Sequence, residues 1–328
     1  MALIPVSPRD TTGLPRLLVL RALGLGDLLT AVPALRALGD AYPGHERVLA
    51  TPAFLAPLVE MLDGAVDAIV SVDWRARTGQ LPAIPGTPDI AVNLHGRGPQ
   101  SHRALLALEP SQFVAWHHPD IPQTTGHPTW VADEHERVRW CRLLCAAGIP
   151  ANADDYLLRP PLGGLPPEFA GVTLVHPGAS APSRRWPPER WAAVARAELE
   201  RGHQVVITGN ADEVDLAKSV ALQADLGGQW VVAGRTDIEE LAALVGAAGR
   251  VVSGDTGVAH LATAFAIPSV VLFGPTSPAQ WGPPDGGRHR ALWAGKTGDP
   301  HAPGTDPGLL RVAVDDVVDA LDALPTHD

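Results

Sequence analysis

The sequence predicts an α/β protein of two similar domains, each a parallel sheet with crossover helices. Three observations carry that expectation. Short β-branched runs alternate with helical patterns along nearly the whole chain, as parallel strands joined by helices require. The alternation breaks once, at Leu158–Pro167, where four prolines and two glycines make a stiff linker that neither sheet can absorb. The length, 328 residues, suits roughly two domains of ~150 residues.

Taken in order, Leu17–Leu20 reads as a buried strand and Asp27–Asp40 as a helix. Strands recur at Arg47–Ala50, Ala68–Val72 and Ile90–Leu94, with helices near Ala53–Leu62 and Gln100–Leu108. Phe113–Trp116 is strand-like, a polar Pro-rich loop follows, and Asp133–Ala147 is an amphipathic helix. Beyond the linker, strands are expected at Val172–Val175, Val205–Thr208, Trp230–Ala233, Arg250–Ser253 and Ser269–Phe273. Helical patterns fall between them at Pro188–Arg201, Asp212–Ala224, Asp237–Ala247 and Val258–Ala266. Gly295–Gly308 reads as a loop and Val314–Leu324 as a last helix. The expected architecture is two Rossmann-like domains facing across a cleft, with ligands at the carboxyl ends of the strands.

Composition narrows the function. Hydrophobic residues make up 45% of the chain and charged residues 19%, so disorder is excluded as the general state. The net charge of −11 argues against non-specific nucleic-acid binding. Residues 1–160 hold 13 basic and 16 acidic groups, and the remainder 12 and 20. The two cysteines, Cys141 and Cys145, stand four apart in a helical pattern and make no disulfide framework. The N-terminus lacks a signal-peptide pattern, and no stretch reaches eighteen uninterrupted apolar residues. A soluble cytoplasmic protein is expected.

Three familiar signatures fail. Gly24-Leu25-Gly26-Asp27-Leu28-Leu29 lacks the third glycine of a dinucleotide fingerprint, and no acid ends the next strand. Gly295-Lys296-Thr297 imitates the end of a P-loop, but Arg290 stands where its first glycine belongs. The thirteen histidines show no metal-ligand spacing, and no Asp-x-Asp pair is present.

Three strand-end loops of the second half hold up better. In Ser253-Gly254-Asp255-Thr256-Gly257-Val258-Ala259-His260 a strand ends in an acid, and Thr256-Gly257 opens a helix whose free N–H groups suit an anion. Read plainly, Asp255 caps that helix and His260 packs in the core; read functionally, both face a ligand. The loop His176–Pro187 carries Arg184 and Arg185, whose guanidinium groups pair bidentately with phosphate. Phe273-Gly274-Pro275-Thr276-Ser277 adds hydroxyls. Together they favour a nucleotide diphosphate. In the first half, Asp27 stands at a glycine-flanked helix start, either as an ordinary first-turn acid or as a general base.

With these residues laid out, the chain resembles glycosyltransferase family 9, the ADP-heptose:lipopolysaccharide heptosyltransferases, from about Arg16 to Leu324. The resemblance lies in Arg16–Asp27 with the following Leu28–Leu35, in Ile90–Gly96 with Ser101, in Asp255–His260 and in Phe273–Ser277. It implies a GT-B fold, with an acceptor domain over 1–160, a donor domain over 161–312, and a helix over 313–328 packing back on the first domain. It further implies inverting, metal-independent transfer of a heptose from an ADP-sugar, with no cofactor. The partners would be that donor and a glycan, glycolipid or small-molecule acceptor, with peripheral membrane contact open. Alternatives are a nucleotide-sugar epimerase of the same fold and a non-catalytic nucleotide-sugar-binding protein.

By the same resemblance Asp27 falls at the catalytic base, and Arg184 where the family usually has a diphosphate-binding lysine. Asp255 and His260 match sugar contacts, and Thr256 and Gly257 phosphate contacts. Ser180 lies in a phosphate loop, Thr236 near the adenine, and Glu213 is a candidate for the ribose. Arg185 and Thr276 complete the donor set. Residues 1–160 contain no lysine, so the best-placed cations for an acceptor are Arg97 and Arg103, then Arg75 and Arg77. So few cations predict a neutral or singly charged acceptor.

Overall fold

The computed structural model describes residues 3–72, 87–161 and 165–325. It divides into two compact units, Met1–Tyr156 and Leu157–Asp328, close to the boundary expected at 160/161. The first unit runs β1 (Ile4–Pro5), β2 (Arg16–Leu20), α1 (Leu25–Ala41), β3 (Glu46–Thr51), α2 (Ala56–Glu60), β4 (Ala68–Ser71), β5 (Ile90–Asn93), α3 (Gln100–Leu106), β6 (Gln112–Val114) and α4 (Glu136–Ala146). The second runs β7 (Thr173–His176), α5 (Pro188–Glu200), β8 (Val205–Ile207), α6 (Val214–Gln223), α7 (Ile238–Ala247), β9 (Arg250–Gly254), α8 (Gly257–Ala264), β10 (Ser269–Phe273), α9 (Pro278–Trp281), β11 (His289–Trp293) and α10 (Val314–Asp322).

The first sheet is ordered β1-β4-β3-β2-β5-β6. Every described pairing is parallel except that of β1 with β4. The central strand β2 is apolar at every position after Arg16, and Leu17 to Leu20 are all buried, as a strand covered on both faces requires. The second sheet is ordered β11-β10-β9-β7-β8 and is parallel throughout. In both sheets the strand order reverses beside the first strand of the Rossmann-like core, between β2 and β5 and between β7 and β9. Such a switch point opens a crevice at the strands' carboxyl ends.

One expectation changes. The strand expected at Trp230–Ala233 is reduced to one bridge, Ile207 with Val231. A 3₁₀ turn at Gly228–Trp230 precedes it and Gly234, in the left-handed region at φ 69°, turns the chain away just after it. Helix α10 buries Val317, Val318 and Leu321 in the second unit's core, with Trp186, Trp191 and Val194. Two polar contacts hold that end in place. Trp186 Nε1 donates to the Val312 carbonyl (3.2 Å), and Arg201 pairs with Asp322 (3.0 Å). Among the described residues no helix is long and apolar enough to cross a membrane.

Candidate functional site

In the first unit the crevice between β2 and β5 gathers residues around Arg21, which directly follows β2. Its guanidinium is fully enclosed, yet each of its nitrogens has a partner. Nε donates to the Asp27 carbonyl (3.0 Å) and Nη1 to the Leu94 carbonyl (2.5 Å). Nη2 faces Asp27 Oδ1 (3.4 Å), Thr30 Oγ1 (3.3 Å) and Glu136 Oε1 (3.2 Å). Asp27 is the third residue of α1, and its Oδ2 accepts from the Gly24 N–H (3.2 Å), closing the turn on itself. The first-turn reading of Asp27 is therefore satisfied, while its side chain stays 28% exposed, enough to meet a ligand.

His95 follows β5 at the same end. Burial, then the Arg21 charge, pull its pKa down to about 4, so it is neutral above pH 5. Deeper in, the Asn93 amide donates to Ser101 Oγ (2.8 Å) and lies 2.8 Å from His102 Nδ1. His102 Nε2 lies 2.7 Å from the Trp116 carbonyl. The Asn93–Ser101 motif thus fixes the loop rather than facing solvent. Arg97 and Arg103 are exposed, and among the described residues neither is ion-paired. Arg75 and Arg77 lie outside the described residues.

In the second unit the crevice lies between β7 and β9. A 3₁₀ turn at Pro182–Arg184 brings Arg184 against the end of β9. Its carbonyl lies 3.4 Å from where a Cβ on Gly254 would stand. Arg184 Nη1 donates to the Asp255 carbonyl (3.3 Å) and Nη2 to Ser180 Oγ (2.5 Å). Its Nε is buried without a partner. Arg185 is exposed and donates from Nε to the Ala179 carbonyl (2.8 Å). Burial pushes the Asp255 carboxyl up to about 6, against the opposing pull of the Arg184 charge and a Thr276 hydrogen bond.

Asp255 does not cap α8. The capping position belongs to Thr256, whose hydroxyl makes no capping bond and is buried without a partner. Ser253 Oγ and His176 Nδ1 are in the same condition. Such orphaned groups are rare in a finished core, and of the ten among the described residues four, counting Arg184 Nε, lie at the ends of β7 and β9 or in the loops after them. The Asp255 reading as a plain helix cap therefore fails, and the α8 N-terminus stays available to an anion.

The remaining candidates sit around this edge. Glu213 accepts from the Asn210 N–H (2.9 Å). A Cβ on Gly178 would stand 2.2 Å from the Glu213 carboxyl, so only glycine fits there. Burial lowers the pKa of His176 despite the neighbouring Glu213 charge. His260, in the first turn of α8, lies edge-on to Trp281 at 5.9 Å. Thr236 is half-buried beside the cap of α7. The 294–308 loop straps the loops of this edge together. Ser183 Oγ donates to the Pro300 carbonyl (2.7 Å), Thr305 Oγ1 to the Arg185 carbonyl (3.0 Å), and the Gly298 N–H to the Pro275 carbonyl (2.9 Å).

Sequence reasoning placed Asp27 and the donor-loop residues after strands, where the structure has them, but did not single out Arg21, His95 and Glu136. Arg21 carried a signal, a charge ending an unbroken apolar strand. Glu136 carried none, because only the tertiary fold brings α4 to β2.

Residues 166–301 match the model of glycosyltransferase family 9 (heptosyltransferase). Lipopolysaccharide heptosyltransferase 2 of Salmonella typhimurium is 34% identical over 106 residues, 31% of this chain, and the chain spans only 30% of that relative's length. Lipopolysaccharide heptosyltransferase 1 of Escherichia coli aligns over 80% of the chain and 89% of its own length, at 23% identity. The solved ADP-heptose lipopolysaccharide heptosyltransferase II of E. coli superposes with a TM-score of 0.73 and 21% identity, covering 94% of this chain and 98% of the other. An iron-containing dodecameric glycosyltransferase of E. coli also shares the fold, with a TM-score of 0.59 and 14% identity over 96% of this chain and 76% of the other. The two parallel-rich sheets are those of the GT-B fold. The second unit thus carries the signature of glycosyltransferase family 9 over residues 166–301, and the fold of the chain is that of the solved heptosyltransferases.

Proposed function

We propose that the protein transfers a heptose from ADP-heptose to an acceptor hydroxyl, with inversion at the anomeric carbon and no metal ion. Asp27 takes the acceptor's proton as the oxygen attacks the anomeric carbon and the bond to the diphosphate breaks on the opposite face. The departing diphosphate gains negative charge in the transition state, so fixed donors stabilise it more than the ground state. Arg184, the α8 N-terminus and the Thr256 hydroxyl would supply them. The observation that carries this reading is the cluster of unpartnered Arg184 Nε, Thr256 Oγ1 and Ser253 Oγ at one strand edge.

The acceptor is neutral or singly charged. Of the eleven described arginines in residues 1–160, seven are ion-paired, namely Arg9, Arg16, Arg21, Arg36, Arg47, Arg139 and Arg142. Few cations remain to meet a polyanionic lipid core.

Incubation with radiolabelled ADP-heptose, alone and with lipopolysaccharide inner core or neutral sugars, tests the reading. Acceptor-dependent label transfer is expected, undiminished by excess EDTA. An isomerised donor in the absence of acceptor would show an epimerase instead. A loss in EDTA restored by Mg²⁺, Mn²⁺ or Fe²⁺ would refute the metal-free mechanism. Efficient, salt-sensitive transfer to the anionic core alone would refute the acceptor assignment.

A further inference from the structure

Arg21 is an expensive residue to keep where it stands. Enclosing a guanidinium costs several kcal/mol in order of magnitude before its partners offset it, and an apolar residue after β2 would serve the core more cheaply. The position is nonetheless built around the charge. Glu136, at the start of α4 and buried, accepts from Arg21 Nη2 (3.2 Å) and Trp140 Nε1 (3.0 Å), and pairs with Arg139. The Trp140 ring lies 4.7 Å from the Arg21 guanidinium carbon, and Trp116 and Trp130 pack edge-on or tilted against it. Arg139 in turn stacks on Trp130 at 4.1 Å. Helix α4 and three tryptophans thus fix one cation, whose other edge holds Asp27.

We infer that Arg21 and Glu136 are positioning residues for Asp27. Arg21 holds both the carbonyl of Asp27 and one oxygen of its carboxylate, and Glu136 anchors Arg21 from the far side. Glu136 also shares the Arg21 charge, so the guanidinium is not spent wholly on Asp27. Its longest contact is the one to Asp27 Oδ1, at 3.4 Å. The carboxylate is thereby aimed without being locked into a tight ion pair, the condition a proton acceptor needs. This inference rests on the reading of Asp27 as general base.

A double-mutant cycle separates positioning from mere stability. Steady-state transfer from ADP-heptose is measured for wild type, Glu136→Gln, Asp27→Asn and the double variant, with thermal unfolding followed alongside. Glu136→Gln should lower kcat about tenfold or more, as misplacement of a reacting group does, with donor KM within about twofold. In the Asp27→Asn background the same change should cost nothing further. Unchanged kcat in folded Glu136→Gln, an equal loss in both backgrounds, or an effect confined to KM would overturn the inference and leave the general-base reading standing. Wild-type turnover in Asp27→Asn would overturn that reading and this inference together. Should Glu136→Gln unfold at the assay temperature, Arg21→Lys enters the same cycle. It keeps the charge and loses the fork, and the same outcomes decide.

Discussion

Two arginines stand at equivalent places in the two units, each beside the switch point of a parallel sheet, and their surroundings differ in kind. Arg21 has a protein partner on every nitrogen and is enclosed by tryptophan. Arg184 reaches one carbonyl and one exposed serine, and its Nε has no partner at all. A guanidinium has five N–H donors in a fixed fork. Arg21 has a partner on each nitrogen and organises its neighbours, whereas Arg184 keeps a buried Nε that no described group takes up. The same residue type after the first core strand of each unit is therefore held in two different ways, buried at Arg21 and half-buried at Arg184.

The sharpest way to break that contrast is at Asp27, the residue Arg21 serves. Asp27→Asn keeps the size of the side chain and the acceptor for the Gly24 N–H but removes the proton acceptor. Transfer should fall at least ~10²-fold, the lower worth of general-base catalysis, while donor affinity measured by calorimetry stays within a few-fold. Near-wild-type turnover would return Asp27 to the role of a first-turn acid.

Arg184 should behave the other way. Arg184→Met removes charge-assisted bonds worth roughly 1.5–3 kcal/mol, so donor affinity should weaken roughly 10- to 100-fold. Arg184→Lys retains the charge as a point and should fall between the two. The measurement is ADP binding to each variant. Unaltered affinity in Arg184→Met would mean that this guanidinium, like Arg21, belongs to the fold.

How much of this was legible in the sequence follows from what each feature depends on. Strands β2, β5, β7, β9 and β10 were readable because their apolar runs are continuous, and the loops after them because glycine, proline and charge interrupt those runs abruptly. The Trp230–Ala233 run was misread because strand propensity does not show how soon Gly234 turns the chain. The partner of α10 was not legible, because an amphipathic helix declares that it will bury a face but not against what. Asp27, Arg184 and Asp255 could be placed near strand ends because each is local to one. Arg21 was passed over because a charge ending an apolar strand looks like a boundary, and Glu136 because its partner is 115 residues away.

Asp255 offers the smallest and most diagnostic measurement of the contrast. Its carboxyl titrates near 6 in the folded chain against 3.8 for an unburied group, because burial outweighs the Arg184 charge and the Thr276 hydrogen bond. Below about pH 4 the group is protonated in both folded and unfolded chains and costs nothing. Between about pH 4 and pH 6 the unfolded chain loses its proton while the folded chain keeps it, so stability falls as pH rises. Above pH 6 the cost is constant, about 2–3 kcal/mol for a shift of this size. Asp255→Asn removes the buried charge and keeps the hydrogen-bonding shape. Its unfolding temperature should match wild type near pH 4, rise above it between pH 4 and pH 6, and stay several degrees higher at pH 7 to 8. That gain requires that Arg184 tolerate the loss of its neighbouring carboxylate, as a cation reserved for a ligand should. A variant less stable than wild type at pH 7 would show Arg184 depending on Asp255 as Arg21 depends on Glu136, and the distinction between the two arginines would not hold.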